Sequence, residues 1–580
     1  MERTPEPEKE DDVVKTASVV SPGAETAQSG HSRTDSKVDA DFAFLTIPKD
    51  GLAGLKQNWR NDIVSGFILF LIALPLSLGI AMASGMPPMA GIIGAVIGGI
   101  CVSQMSGSFV TINGPAAGLI VVIAGAVEDL GGGMHGYRAT LTAIVVAGAV
   151  LFVLGRLKAG ELGKFFPSSV VHGMLASIGM IIILKQLPIM LGVAPPAKEP
   201  VMLLMKLPYT ISHFNPHVAL IGVVSMLILI VHGMIKLPML KKVPAPILVV
   251  VVACAIGQAF GMTTAHDYSF MGQTYAIVPD KMLVHLPTDF SKALSSPDWS
   301  AFSLSLFYKS VFSITLIQGI ETVLSCAAVD KLDPFKRKAN LSKDLSAVGI
   351  GSVISGMFGG LPMIAEIVRS TANIANGART RYSNFFHGVF VLVFVLTATA
   401  MLNRIPLAAL AALLVFTGYR LSSPKVFKET HQIGWEQTLL FVTTIVITLS
   451  TDLLIGVFSG VAVKLLLHVL RGVKPGELFK AQVKSETMPD GTVVIRIQSA
   501  AVFSNYMAIK KIIDKVPPGQ NVIFELDRVS FVDHTVMEHL HDFEHDQSHT
   551  GGHVVIKGLD LHKTTSNHPA ASRKLVNHAN

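Results

Sequence analysis

Long runs of apolar residues, separated by short polar stretches, fill most of the chain between residues 62 and 471. Crossing the ~30 Å hydrocarbon core of a bilayer takes about 20 apolar helical residues. The pattern therefore predicts about fourteen membrane spans, each placed to within a few residues. The predicted spans are 62–84, 89–104, 115–127, 136–154, 168–191, 216–235, 244–261, 304–328, 344–358, 362–374, 382–402, 406–418, 434–450 and 453–471.

Two of these runs are too short to cross the bilayer alone. From Pro115 to Val127, and from Pro362 to Ile374, only about 13 residues are available, which makes ~20 Å of helix. The polar stretch 262–303 divides the spans into two sets of seven, and each short run is the third of its set. An odd number of spans gives the two sets opposite orientations, an inverted repeat. Short segments at matching positions of two repeats point to a transporter's binding site.

The chemistry expected at such a site is the binding of an anion. A half-helix that begins near the middle of the membrane has unpaired N–H groups at its first turn. Together with the helix dipole, these groups favour negative charge. Two helix starts that face each other therefore predict a site for a small anion.

After Arg471 the pattern changes to alternating strands and helices, which predicts one small α/β domain over residues 476–580. The predicted strands are Thr492–Gln498, Asn521–Leu526 and His553–Ile556, and the predicted helices are 504–515 and 534–547. At the other end, residues 1–55 are rich in Glu, Asp, Ser, Thr and Pro, so we expect a disordered cytoplasmic tail.

Composition and charge agree with a membrane protein. Half of the residues are hydrophobic and 15% are charged, and the mean hydropathy is +0.53. With a cytoplasmic N-terminus, the inward loops hold sixteen Lys and Arg residues and the outward loops six. This positive-inside bias predicts a multi-pass protein of the cell (inner) membrane with both termini in the cytoplasm. The net charge of +7 thus reflects topology, and we expect no nucleic-acid partner.

Four stretches resemble the sulfate permease family of anion transporters. They are IALPLSLGIAMASG in the first span, SGSFVTINGPAAGL at the third, GIETVLSCAAVDKLDPFKRKANLSKDL at the eighth and GGLPMIAEIVRSTANIANGARTR at the tenth. The resemblance implies a polytopic α-helical fold of fourteen spans in two inverted seven-span repeats, divided into core and gate domains over residues 56–471. It also implies a cytoplasmic STAS domain over 476–580, a homodimer, and an elevator-like movement of the core against the gate.

Arg369 is the central candidate residue. At about two turns into the tenth span, an unpaired Arg would cost roughly 2.5–3.5 kcal/mol, so a partner or a function must offset that cost. One interpretation is fixed positive charge for the anion, as the matching Arg in prestin and several anion-exchanging relatives implies. The other is a buried pair with Glu366, three residues earlier. The predicted substrate-binding residues are Thr111, Asn113, Gly114, Ala116, Ala117, Met363, Ile364, Ala365, Arg369 and Ser370.

A second intramembrane charge, Glu321, indicates coupling to a cation. Ser325 follows one helical turn later, and sodium-coupled bicarbonate relatives hold the cation with an acidic residue and a hydroxyl at these places. Glu replaces Asp here, and the sodium-dependent relative has a small residue at the position of Arg369. The alternative is a proton carried by Glu321 or Glu366, because a membrane disfavours an ionised carboxyl. Sodium and protons both remain candidate co-substrates.

The predicted function is secondary active transport of a small inorganic anion. The first span is closer to bicarbonate-transporting members than to sulfate-type members, which commonly have Gln where this chain has Leu76; bicarbonate is therefore slightly favoured over sulfate. The alternatives are a sulfate or dicarboxylate proton symporter, an anion exchanger, and, from another class, an anion channel or an anion-sensing membrane protein. No enzyme motif appears in the soluble ends, and we expect no cofactor.

Two features of the C-terminal domain have alternative interpretations. Thr535 lies in an Asp-His-Thr sequence where related domains carry a phosphorylated Ser, but Val536 replaces the Gly that follows it there. A helix-start role is favoured for Thr535. His541, His545 and His549 share one predicted helical face, where a solvated polar surface is favoured over metal binding.

Overall fold

The computed structural model describes residues 47–161, 166–235, 243–287 and 293–576. Each of the fourteen predicted spans corresponds to a helix. These helices are α1 Gly51–Ala83, α2 Pro88–Ile97, α3 Ile120–Asp129, α4 Gly133–Arg156, α5 Ser168–Met190, α6 Pro216–Met234, α7 Ala245–Ala259, α8 Phe307–Leu332, α9 Leu341–Met357, α10 Ile367–Ala375, α11 Tyr382–Leu402, α12 Leu407–Leu421, α13 Trp435–Ser450 and α14 Leu453–Leu470. Nine helical segments among the described residues are long and apolar enough to cross a membrane.

Short elements connect the membrane helices. A π-helical turn, Gly98–Val102, continues α2 into Ser103–Met105, and a 3-10 turn, Ala117–Leu119, precedes α3. The remaining connecting elements are the helices Pro200–Met205, Leu207–Ser212, Pro279–Met282 and Pro424–Ile433, the 3-10 turn Trp299–Ser303, and a hairpin of β2 His266–Phe270 and β3 Gln273–Ile277.

The predicted N-terminal tail lies outside the described residues as far as residue 46. The structure places the start of α1 at Gly51, before the predicted end of the tail at residue 55. The helix begins there because the Asp50 carboxylate accepts a hydrogen bond from the Gly51 N–H, at 2.8 Å, and so caps the first turn.

The two interrupted spans begin as strands, which corrects the prediction of helix from residues 115 and 362. β1, Ile112–Gly114, pairs antiparallel with β4, Ile364–Glu366, in the register Ile112↔Glu366 and Gly114↔Ile364. Pro115 favours extended backbone at the preceding Gly114. Backbone groups that a helix would have used are instead paired across the two halves of the protein.

The membrane helices form two packed groups. The first, called here the site group, contains α1–α4 and α8–α11, and within it α4 packs on α9 and α1 on α11. The second, called the flanking group, contains α5–α7 and α12–α14, and within it α5 packs on both α12 and α13. Gly148 meets Gly349 between α4 and α9, and Gly179 meets Gly418 between α5 and α12. Small residues let these helix backbones approach closely.

The C-terminal region confirms the predicted α/β pattern. The elements are β5 Val483–Thr487, β6 Val493–Ile497, α15 Tyr506–Ile513, β7 Val522–Glu525, β8 Phe531–Val532, α16 His534–His549, β9 Val554–Lys557, β10 His562–Thr564 and β11 Arg573–Leu575, with 3-10 turns at Pro475–Glu477 and Leu559–Leu561. A four-stranded sheet has the order β5-β6-β7-β9, with β5 antiparallel to β6 and the other pairs parallel. A smaller antiparallel sheet has the order β10-β11-β8.

A buried ion cluster joins this domain to the flanking group. Asp533, which caps α16, lies 3.3 Å from Lys464 Nζ and 3.5 Å from His468 Nε2, both on α14. Lys464 Nζ also donates to Thr535 Oγ1 at 2.8 Å. Burial would raise the pKa of Asp533, but Lys464, His468 and the N–H groups of the domain outweigh burial and hold the pKa below its ordinary value. The residue predicted as a helix-start residue, Thr535, thus lies inside an interdomain contact.

A second, exposed contact joins the same domain to the site group. Lys331, near the end of α8, lies 2.9 Å from Asp542, and Lys338, in the loop before α9, lies 2.5 Å from Asp546. Both acidic residues are on α16. The C-terminal domain therefore touches both helix groups, through a buried cluster on one side and an exposed one on the other.

We expect Asp533→Asn to lower the free energy of unfolding by about 3–5 kcal/mol, because it leaves Lys464 buried without its counter-charge. The double variant Lys464→Met/Asp533→Asn should lose less. Lys331→Met removes an exposed pair and should cost at most about 1 kcal/mol. Thermal unfolding of the purified chain measures the three effects. The rate of proteolytic cleavage between residues 471 and 482 measures how firmly the C-terminal domain is held.

The pH dependence of this contact follows from the lowered pKa of Asp533. The interactions that lower this pKa stabilise the folded protein, and their contribution is fully present above the ordinary carboxyl pKa of ~3.9. The contribution is lost as the pH falls through the lower pKa of the folded state. The contact should therefore hold at neutral and mildly acidic pH. Equal unfolding temperatures for Asp533→Asn and the unaltered chain would contradict the proposed role of the pair.

Candidate functional site

The antiparallel pair of β1 and β4 is called here the strand crossing, or the crossing. Two buried carboxylates hold the loops beside it. Asp344 on α9 accepts hydrogen bonds from the Ser106 and Ser108 hydroxyls and from the Gly107 N–H, the last at 3.0 Å. Asp62 on α1 accepts from the Thr380 hydroxyl at 2.5 Å and from the Arg379 N–H at 2.9 Å. The chain that enters β1 and the chain that leaves α10 are therefore held in place by the site group itself.

The strand crossing is braced by side chains as well as by its own pairing. The Ser370 hydroxyl accepts from the Ile112 N–H at 2.9 Å and donates to the Glu366 carbonyl at 2.5 Å. Gln318 on α8 donates to the Met363 carbonyl at 2.8 Å and to the Ser352 hydroxyl at 2.6 Å. Ser370, a predicted substrate ligand, thus has its hydroxyl in a contact between the two strands.

Arg369 lies in the first turn of α10, which corrects its predicted depth of two turns. The helix begins at Ile367 because Ile364–Glu366 is extended. The guanidinium is only 1% exposed, and its Nη2 donates to the Pro115 carbonyl at 3.1 Å. A cation at a helix N-terminus is electrostatically unfavourable, so Arg369 stays there only with compensating negative charge.

Glu366 supplies part of that compensation. Its Oε2 lies 2.8 Å from Arg369 Nε, although the Nε–H is not directed at that oxygen, so the contact is an ion pair without a hydrogen bond. Gly114 also lies close to the guanidinium, because a Cβ added there would lie 2.8 Å from Nη1. Both functions predicted for Arg369 are thus compatible with its position: it is paired, and it borders the crossing.

Unused hydrogen-bond donors are present at the strand crossing, on Arg369 and on the chain at β1. Among the described residues, Arg369 Nη1, Asn113 Nδ2 and Thr111 Oγ1 are buried without a hydrogen-bond partner. Neither helix start is capped by a side chain at its Ncap residue, Ala116 before the 3-10 turn or Glu366 before α10. A buried donor without a partner costs about 1–3 kcal/mol. The arrangement is suited to an anion with several hydrogen-bond acceptors.

The other predicted ligands lie on the two strands and turns. Asn113 pairs with Ala365 and Gly114 with Ile364 in the β1–β4 register, Ala117 begins the 3-10 turn, and Met363 precedes β4. The strand pairing therefore uses part of the backbone capacity that an anion was expected to take. The structure brings all the predicted ligands to one crossing.

Glu321 lies beside the start of the third span. It is buried, and its carboxylate lies directly over Gly118, where any Cβ would overlap the oxygens. Within the part of the chain that the structure describes, neither carboxylate oxygen accepts a hydrogen bond. Glu366 is the second carboxyl at this crossing, and Ser325 follows Glu321 on α8. Two neighbouring carboxyls in a buried site favour a shared proton or a bound cation.

The sequence analysis missed four polar residues near the crossing. The structure leaves Gln318 Oε1, Thr322 Oγ1, Asn384 Oδ1 and both ring nitrogens of His387 buried and without hydrogen-bond partners among residues 47–161, 166–235, 243–287 and 293–576. Asn384 and His387 lie in an otherwise apolar run, and polar residues at membrane depth are a signal of function. That signal was present in the sequence and was not used.

The histidines of α16 show contacts with each other and with the backbone. His545 Nε2 and His549 Nε2 are 3.1 Å apart, and His541 contacts the Met537 carbonyl at 2.7 Å. No cluster of three or more His, Cys, Asp or Glu side chains in the described parts of the chain has the geometry of a metal site.

Comparison with known proteins identifies the class. Residues 59–444 match the model of the sulfate permease family. The chain is 27% identical over 417 residues to the putative sulfate transporter YvdB of Bacillus subtilis, covering 72% of this chain and 74% of the relative. It is 25% identical over 419 residues to the bicarbonate transporter BicA of a Picosynechococcus species, covering 72% and 71%.

Solved structures agree with the fold. The transmembrane domain of a cyanobacterial BicA aligns with a TM-score of 0.58 and 25% identity, over 70% of this chain and 97% of that one. SLC26A9 aligns with a TM-score of 0.61 and 15% identity, over 87% and 84%, which shows the fold alone. The family model, the relatives and the fold together define a polytopic membrane transporter of anions. The chain belongs to the sulfate permease family.

Three glycine variants test the geometry of the crossing. Gly114→Ala pushes a methyl group against Arg369 and should weaken anion binding at least tenfold, about 1.4 kcal/mol. Gly118→Ala displaces the Glu321 carboxylate and should alter coupling more than affinity. Gly125→Ala, on α3 with open space around it, is the matched control and should leave binding unchanged. Anion-dependent thermal stabilisation reports affinity. Equal affinities of Gly114→Ala and Gly125→Ala would place the anion elsewhere.

Proposed function

We propose that this protein is a secondary active transporter of small inorganic anions in the cell inner membrane, with bicarbonate favoured over sulfate. The observation that carries the proposal is Arg369, a buried guanidinium at a helix start, which is paired with one carboxylate and has an unused donor of its own. Fixed positive charge and preorganised donors are what an anion needs in order to leave water.

Charge balance supports coupling to a cation. Arg369, Glu366 and an ionised Glu321 together carry one negative charge, and a bound monovalent anion would make it two. Added negative charge is costly to move through a low-dielectric membrane. One proton or one sodium ion bound with the anion returns the loaded site to the charge of the empty site. Glu321 is the proposed carrier, because its carboxylate is buried over Gly118 at the start of the third span and accepts no hydrogen bond in the described part of the chain.

Of the two cations we favour the proton. A carboxyl with no donor to either oxygen, in the described part of the site, is stabilised directly when it takes up a proton. Sodium is the second candidate, favoured by the resemblance of Glu321 and Ser325 to the cation ligands of sodium-coupled relatives. The two differ in which gradient drives uptake.

The substrate preference rests on the site and on the relatives. Leu76 gives the first span no hydrogen bond for a sulfate-like anion, so the contacts come from Arg369, Asn113 and Thr111. One relative is a bicarbonate transporter and another a putative sulfate transporter. Sulfate or dicarboxylate symport and anion exchange are the alternatives within this class. A channel or an anion sensor would show current without saturation, or binding without transport.

We further propose that the site group is the core and the flanking group the gate of an elevator-type transporter that works as a homodimer. On this proposal the C-terminal α/β domain is a STAS domain, and both termini lie in the cytoplasm. The support is the division of the helices into two packed groups, with both half-helices in one of them.

Arg369→Ala should raise the dissociation constant for the transported anion at least 100-fold and abolish uptake into proteoliposomes. Because that change leaves Glu366 buried and unpaired, Arg369→Gln/Glu366→Gln provides a neutral second variant with the same expected loss. Arg138→Ala removes an exposed guanidinium from the same set of helices and is the control. Unchanged affinity in a folded Arg369 variant would refute the proposal.

Glu321→Gln should retain anion binding and exchange while losing acceleration by an imposed pH gradient, because the amide cannot carry the proton. Uptake of labelled bicarbonate into proteoliposomes, with pH and sodium gradients imposed separately, measures this. Glu128→Gln, a partly exposed carboxylate paired with Lys198, is the control. Uptake driven by sodium with no pH gradient would instead support the sodium alternative.

A further inference from the structure

Asn384 and His387 lie one helical turn apart on α11, beside the strand crossing. Asn384 Nδ2 donates to the Gly98 carbonyl at 3.2 Å and to Asn113 Oδ1 at 3.3 Å. His387 is 0% exposed and follows Asn384 on the same helix. The helix comes close to the π-turn at this level, because Gly388 and Gly99 meet with no side chain between them. Asn384 therefore contacts a predicted anion ligand, Asn113, and His387 lies one turn away from Asn384.

The two hydrogen bonds of Asn384 fix its orientation. Because the Gly98 carbonyl can only accept, the amide nitrogen of Asn384 must face it, and the amide oxygen takes the other side. That oxygen is buried, and the described structure offers it no donor. An amide oxygen can only accept a hydrogen bond. Its partner must bring an N–H or O–H group.

His387 adds a group that can accept or donate a hydrogen bond. A positive charge in a fully buried site without a counter-charge is costly, so the imidazole is neutral and has one N–H donor and one lone pair. Neither nitrogen has a hydrogen-bond partner among the described residues. The described residues around the crossing thus include unused donors on Arg369, Asn113 and Thr111, an unused acceptor on Asn384, and His387, which can act as either.

We propose that Asn384 and His387 recognise the hydroxyl group of a singly protonated oxyanion, which makes them specificity-determining residues for bicarbonate. This inference rests on the proposed function. The bicarbonate hydroxyl can donate to the Asn384 amide oxygen and accept from the His387 N–H, and its other oxygens can accept from the donors. Chloride, nitrate and sulfate only accept, and each leaves the amide oxygen of Asn384 facing an anion without a proton between them. A site built for a hydrogen bond rejects a ligand that lacks the matching group.

Nitrate is the decisive probe, because it is a planar monoanion like bicarbonate but has no proton. Binding of both anions to the purified full chain is measured by calorimetry and thermal stabilisation, at one pH and one ionic strength. We expect the unaltered chain to bind bicarbonate about tenfold more tightly than nitrate, the value of one net hydrogen bond.

Variants separate specificity from a structural role. Asn384→Leu should reduce the bicarbonate-to-nitrate preference about tenfold, with nitrate affinity changed less than bicarbonate affinity. His387→Leu should reduce the preference less, because the His387 N–H can also donate to nitrate. His387→Gln keeps one donor and one acceptor and should retain much of the preference. Thr140→Val, which removes a buried hydroxyl bonded within α4, is the control and should leave the preference unchanged.

The outcomes distinguish the two proposals. If no anion stabilises the unaltered chain, the proposed function fails. If anions bind but bicarbonate and nitrate bind equally, or if the leucine variants weaken both anions alike, the hydroxyl-recognition proposal is overturned and the anion site stands. If the leucine variants do not fold, the His387→Gln variant and the unaltered chain still test the proposal. Equal binding of bicarbonate and nitrate by the unaltered chain contradicts it.

Discussion

The crossing of β1 and β4 controls the architecture of the membrane part. Two extended segments inside a bilayer would expose backbone groups to hydrocarbon, at several kcal/mol for each unsatisfied group. The structure avoids that cost by pairing the two segments with each other, across 250 residues of sequence. Since neither strand is satisfied without the other, both halves of the chain must be folded before the site exists.

Everything near the crossing follows from this requirement. Asp344 and Asp62 hold its ends, and Ser370 and Gln318 brace its middle with hydrogen bonds. With these groups hydrogen-bonded to one another, the unpartnered groups are the ones proposed to bind the anion. They are Arg369 Nη1, Asn113 Nδ2 and the polar atoms of α11. The division between structural and binding groups is visible as the division between satisfied and unsatisfied hydrogen bonds.

The sequence predicts the spans well because their length is set by the thickness of the bilayer, and it predicts the C-terminal domain because strands and helices have different periods. It does not predict that 364–366 is a strand, since a short apolar run fits helix or strand equally. The depth of Arg369 was therefore wrong by about one turn. The roles of Asn384 and His387 depend on contacts with Gly98, Asn113 and Arg369, which are remote in sequence. No local pattern shows which face of α11 meets the crossing.

The two attachments of the C-terminal domain differ in how water and salt reach them. Lys464 and Asp533 are almost fully buried, so dissolved ions barely screen their attraction, whereas the Lys331–Asp542 and Lys338–Asp546 pairs are open to solvent. Ionic screening shortens from ~10 Å at 0.1 M salt to ~3 Å at 1 M. The domain therefore has one attachment that resists salt and one that salt weakens. A rise in ionic strength around the domain therefore loosens its hold on the α8–α9 loop while its attachment to α14 stays in place.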